Sequence, residues 1–179
     1  DAGLGRVKEN YEGSVSRGRL SQDDMDKRMM LITGTVDYKD IADADIVIEA
    51  VFENMDLKKK IFGELDKVCK PETILASNTS SLDINQLGRA TSRPEKVCGT
   101  HFFSPANVMK LMENVRTDAS SPETIATIMK LSKTLGKTGV LVGVGDGFVG
   151  NRMLHVAARI AEFMVEEGAL PWQVDRVVY

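Results

Sequence analysis

The chain has 179 residues, 42% of them hydrophobic and 27% charged, the balance of one soluble globular domain, or one and a fraction, with its own core. A formal net charge of −3 lacks the strongly basic field that nucleic acid or an anionic membrane surface selects. Its apolar runs fall far short of the roughly 20 residues of a membrane span. Cys69 and Cys98 show no C-x-x-C spacing and follow no signal peptide, which favours reduced thiols in a cytoplasmic setting and no nucleophilic role.

Asp1 is followed at once by an amphipathic run, Leu4, Val7, Tyr11 and Val15, so the first residue is expected in or beside a helix. Ser21, with Asp23 and Asp24 behind it, starts a second helix leading into 25–30, because its hydroxyl accepts from early backbone amides. Residues 31–36 read as a short strand. Residues 46–51 are apolar and β-branched apart from Glu49 and Ala50, the look of a strand buried on both faces. Residues 56–70 follow with helical spacing through Leu57, Ile61, Phe62 and Leu65.

The β-α pattern repeats as strand 73–77, helix 83–89, strand 97–103, helix 121–135 and strand 138–144. Such alternation predicts a largely parallel α/β sheet. Residues 108–115 come too soon after Pro105 for a crossover helix and read as a strand or hairpin arm. Helix 149–167, ended by Gly168, and another from Pro171 mark a change of character. The boundary is placed near Gly147, giving 1–146 as one domain and 147–179 as the start of an all-α second. The sequence stops in mid-pattern at Tyr179, so the chain is expected to be a segment of something longer.

Gly145-Asp146-Gly147-Phe148-Val149-Gly150 matches the G-x-G-x-x-G dinucleotide fingerprint and lies between a strand and a helix. The second strand with its ribose-binding acid should come next, yet more helix follows. An interdomain hinge is the favoured reading.

His101 ends the strand 97–103, at the sheet edge where open α/β folds bind ligands. It is a candidate general base with Glu113, twelve residues on, as the carboxylate on its other nitrogen if the next strand folds back. A histidine capping a turn beside a solvated glutamate is the alternative. His155, inside an amphipathic helix, reads as a packing or surface residue. Ser77-Asn78-Thr79-Ser80-Ser81 offers hydroxyl and amide groups to a carbonyl or ribose, or else caps the helix at 83–89. Glu53 is either a partner for a cofactor hydroxyl or a plain loop acid. Asn151 starts the helix after the hinge glycines and points toward the same cleft if a second domain caps it.

Four blocks together resemble the 3-hydroxyacyl-CoA dehydrogenases. They are Ile46-Val47-Ile48-Glu49-Ala50-Val51-Phe52-Glu53, Ser77-Asn78-Thr79-Ser80-Ser81-Leu82, the run from His101-Phe102-Phe103-Ser104-Pro105 to Lys110-Leu111-Met112-Glu113, and Asp146-Gly147-Phe148-Val149-Gly150-Asn151-Arg152. The Ser-Pro after His-Phe-Phe is closer to the dehydrogenase part of multifunctional β-oxidation enzymes. The resemblance implies a Rossmann-like domain that uses NAD to oxidise L-3-hydroxyacyl-CoA to 3-oxoacyl-CoA in fatty-acid β-oxidation.

It further implies His101 as base with Glu113 orienting it, Ser80 and Asn151 on the substrate, and Glu53, Lys58 and Asn78 along the nicotinamide ribose. No metal is implied. Ser104 stands where the family often has an amide, so no contact is carried over to it. The family's first strand, glycine-rich loop and second strand should precede Asp1, and its helical dimerisation domain should continue past Tyr179. The segment alone is therefore expected to be inactive. An acyl-CoA thioester is the expected partner, with neither nucleic acid nor membrane, and with either a homodimer through the second domain or fusion to a hydratase. A dehydrogenase of another hydroxy acid, or a non-catalytic structural relative, are the alternatives.

Overall fold

The computed structural model describes residues 2–178; Asp1 and Tyr179, with the expectations placed on them, lie outside the described residues. Two compact units follow in sequence, 1–41 and 42–179.

The first unit holds α1 (Ala2–Ser16) and α2 (Gln22–Met29), then a short 3-10 turn at Tyr38–Ile41. Ser21 caps α2 as expected, its hydroxyl accepting from the Asp24 amide at 3.1 Å. The strand expected over 31–36 does not form. A lone strand leaves its amides and carbonyls unpaired, and among the described residues no other strand runs beside it. Local bonds take over instead: Leu31 and Ile32 donate back to the carbonyls of Arg28 and Met29, and Thr35 bonds Asp40. Leu31 and Val36 are left exposed.

The second unit is an α/β sheet of five strands, β1 (Ile46–Glu49), β2 (Ile74–Ser77), β3 (Val97–Phe102), β4 (Leu111–Arg116) and β5 (Thr138–Gly143), in that spatial order. All neighbours are parallel except β3 and β4, which pair antiparallel. The largely parallel sheet and the hairpin arm after Pro105 are thus as the patterning predicts. α3 (Met55–Val68) and α4 (Ile84–Gly88) make the crossovers from β1 to β2 and from β2 to β3, and α5 (Pro122–Thr134) links β4 to β5. Asn54, Asp83 and Ser121 cap them with side-chain oxygens. α6 (Gly150–Glu166) and α7 (Pro171–Val178) follow. Gly168 ends α6 at φ 105°, a conformation that favours glycine.

Every residue of β2 is buried. On one face Ile74, Ala76 and Cys98 pack with Ile128 of α5. On the other, Gly99 brings Ile84 of α4 and Val115 so close that a Cβ would stand 2.8 Å from Val115 Cβ. β1 lies at the sheet edge. α6 carries no buried residue, and Met153, Leu154, Ile160 and Phe163 stand exposed along it. No helix among the described residues is long and apolar enough to cross a membrane.

A buried arginine closes α3. Arg93 Nε donates to Asp66 Oδ1 at 2.7 Å, and its guanidinium also reaches the carbonyls of Asp66, Cys69 and Lys70, the acceptors a helix end leaves open. Burial pushes the Asp66 carboxyl up, but hydrogen bonds from Ser92 and the Arg93 charge outweigh it and hold it below the ordinary 3.8. A depressed folded value means stabilisation that is present above 3.8 and is lost as pH falls through the folded value. Asp66→Asn is therefore expected to lower the urea midpoint at neutral pH and to flatten its fall toward about pH 3. Equal acid slopes in wild type and variant would refute the assignment.

Candidate active site

Parallel strands bring their carboxyl ends to one edge, and the polar residues of β1, β2 and β3 gather there. Two groups form. In the first, the antiparallel register sets His101 opposite Glu113, both buried, with Nδ1 2.8 Å from Oε2. Glu113's other oxygen accepts from the amides of Val149 at 3.0 Å and Gly150 at 2.8 Å, at the start of α6. Three donors thus converge on one carboxylate. Since an ionised carboxylate only accepts, Nδ1 is the nitrogen that donates to Glu113. The rings of Phe103 and Phe148 lie 4.5 and 5.7 Å from the imidazole.

The glycine motif at 145–150 serves this group. Gly147 and Phe148 turn through φ 65° and 48°, and the amides that a phosphate loop would present are spent on Glu113. A Cβ on Gly150 would stand 2.7 Å from the Phe103 ring and 3.7 Å from Glu113 Oε1.

The second group lies around Glu53. Its Oε1 accepts from the Ser80 amide at 3.0 Å, the Ser80 hydroxyl at 3.4 Å and the Thr79 hydroxyl, while Lys58 Nζ stands 3.4 Å from Oε2. Burial pushes the Glu53 carboxyl up, yet the bonds from Thr79 and Ser80 and the Lys58 charge together hold it below the ordinary 4.5. Its side chain keeps 38% exposure, so a charged acceptor faces solvent at the sheet edge. Lys58 is only 1% exposed and bonds Glu49 at 2.8 Å. Asn78 ties the groups together, its Oδ1 accepting from the Phe102 amide at 2.9 Å, one residue past His101.

His101 and Glu113 are thus brought into direct contact, and so are Glu53, Lys58 and Ser80. Asn151, half-buried, follows the glycine that holds Glu113 and makes no side-chain hydrogen bond among the described residues. His155 is exposed, as expected. Sequence reasoning named Thr79 only within the 77–81 block, and it missed the part played by Glu49, the two amides and the two phenylalanine rings. For Glu49 a signal existed, because a lone charge inside an apolar strand demands a buried partner. Burial pushes the Cys98 thiol up to about 12, in keeping with no nucleophilic role.

The family model described as 3-hydroxyacyl-CoA dehydrogenase, NAD binding domain, matches residues 1–146. The Homo sapiens peroxisomal bifunctional enzyme is 54% identical over 144 residues, 80% of this chain and 20% of that protein. An Arabidopsis thaliana peroxisomal fatty acid beta-oxidation multifunctional protein is 44% identical over 178 residues, 99% of this chain and 25% of the relative. The chain therefore spans about a quarter of the length of such relatives. Among solved structures, the (S)-3-hydroxybutyryl-CoA dehydrogenase of Ralstonia eutropha superposes with a TM-score of 0.94 at 38% identity, over 96% of this chain and 61% of that one.

The curated relatives are peroxisomal where the cysteines suggested the cytoplasm. Reduced thiols separate the cell interior from secretion, but they do not separate one reducing compartment from another. By the match over 1–146 and these identities, the chain belongs to the 3-hydroxyacyl-CoA dehydrogenase family and carries its NAD-binding domain.

Proposed function

We propose that the protein containing this chain oxidises L-3-hydroxyacyl-CoA to 3-oxoacyl-CoA with NAD, as part of a peroxisomal multifunctional β-oxidation enzyme that also carries a hydratase. The observation that carries this reading is the buried Nδ1–Oε2 bond of 2.8 Å between His101 and Glu113. NAD, when bound, supplies the acceptor for the hydride from C3. His101 Nε2 takes the proton of the C3 hydroxyl, and Glu113 holds the ring in that tautomer and stabilises the imidazolium that results. Ser80 and Asn151 hold the oxygen at C3. Glu53 and Asn78 lie along the nicotinamide ribose, with Lys58 acting there through Glu53. Residues from 147 onward begin the helical domain that covers the cleft.

The same edge on an enzyme for another hydroxy acid would act on free acids as well as thioesters. Retention of both His101 and Glu113 argues against a purely structural relative, which would not need the pair.

In the full-length protein, His101→Ala is expected to lower NADH formation from a 3-hydroxyacyl-CoA by about 10²–10⁴-fold and to leave NADH affinity within a few-fold of wild type. Undiminished turnover, or wild-type activity on free 3-hydroxy acids equal to that on thioesters, would refute the reading. Gly150→Ala drives the Phe103 ring off His101 and shifts the helix start that holds Glu113. Turnover should fall by about 10-fold or more with a stability change of about 1–3 kcal/mol, measured by urea unfolding. Unchanged turnover would show that the close approach at Gly150 plays no part in the site.

A further inference from the structure

We propose that Glu49 is a positioning residue for the cofactor side of this site, setting the Glu53 carboxylate through Lys58. The proposal rests on the nicotinamide-side role given to Glu53 above. Glu49 is the last residue of β1, 5% exposed, and a carboxylate so buried costs several kcal/mol unless it is paired and hydrogen-bonded. Both oxygens are engaged. Oε1 takes Lys58 Nζ at 2.8 Å and the Val51 amide at 2.6 Å, while Oε2 takes the Ser77 hydroxyl at 2.7 Å. One side chain thereby joins the end of β1, the loop leaving it, the first turns of α3 and the end of β2.

Lys58 hands the arrangement on. Its ammonium carries three protons in a compact head, and the buried bond to Glu49 fixes where that head sits. From there it meets Glu53 Oε2 at 3.4 Å, leaving Oε1 for the Ser80 and Thr79 donors. The order is buried anion, buried cation, edge anion. An exposed carboxylate paired with a mobile lysine gains little and samples several rotamers. Here the lysine is buried, and a second carboxylate holds it from within the fold. Without the Glu49 charge, the ammonium keeps Glu53 as its one anionic partner among the described residues, and Glu53 turns toward it and away from Ser80.

Glu49→Gln keeps the shape and one acceptor oxygen, exchanges the other for an amide donor that the Ser77 hydroxyl can accept from, and removes the charge. Isothermal titration of the full-length protein with NADH, beside its thermal midpoint, reads the effect. The expected result is a cooperatively folding variant whose Kd for NADH rises about 10-fold, the order lost when the partner behind a binding group is removed. A merely structural role would lower the midpoint and leave the Kd of the folded protein where it was, and that result overturns the proposal. Should Glu49→Gln fail to fold, Ser77→Ala, which removes only the hydroxyl on Oε2, is read in its place. A Kd raised about threefold then supports the proposal, and an unchanged one overturns it. A wild type that binds NADH without oxidising 3-hydroxyacyl-CoA sinks the catalytic reading and leaves the Glu49 comparison standing. A wild type that does not bind NADH sinks both.

Discussion

The Glu113 carboxylate is the point on which the site depends. It stands buried in β4 opposite His101, takes the imidazole on one oxygen and the first amides of α6 on the other, and so links a hairpin register to a helix start. A shift of β4 by one residue would turn Glu113 to the opposite face of the sheet, remove the partner of His101 and strand a charge. Several local features serve that geometry. Gly150 leaves room for Phe103 beside the imidazole, the left-handed turn at Gly147 and Phe148 aims the amides, and the antiparallel β3–β4 pair interrupts an otherwise parallel sheet.

The group around Glu53 follows a similar logic with different side chains. Parallel β1 and β2 end beside one another, so Glu49 and Ser77 are register partners and meet through a hydrogen bond. Lys58, entering from α3, converts that buried charge into the placement of Glu53 at the edge. In both groups a buried charge orients the polar side chain beside it. Such buried polar pairs stabilise a fold weakly, if at all, and their value lies in specifying one arrangement.

Much of this was legible in the sequence because it is written in short periods. The side-chain cap at Ser21, the apolar run at β1 and the alternation of strand and helix fix their elements by local chemistry. His101 and Glu113 were legible as a pair once residues 108–115 read as a returning arm, since a short hairpin brings such positions face to face. The run 31–36 misled because a strand is stabilised by its neighbours, and no window of sequence contains them. Lys58 lies among three lysines, and nothing in the run says which of them is buried. The glycine motif had the spacing of a phosphate loop, and only the third dimension showed its amides bonded to Glu113. The family resemblance supplied the roles that position alone left open at Ser80, Asn78 and Asn151.

The most direct test of the account is a double-mutant cycle on His101 and Glu113 in the full-length protein, read as kcat/KM for NADH formation from a 3-hydroxyacyl-CoA. If the two form one proton-accepting unit, Glu113→Ala adds almost nothing to the loss already caused by His101→Ala, because the orienting partner has nothing left to orient. Losses that multiply would mean that Glu113 acts independently of His101, and the pair would cease to be the centre of the site.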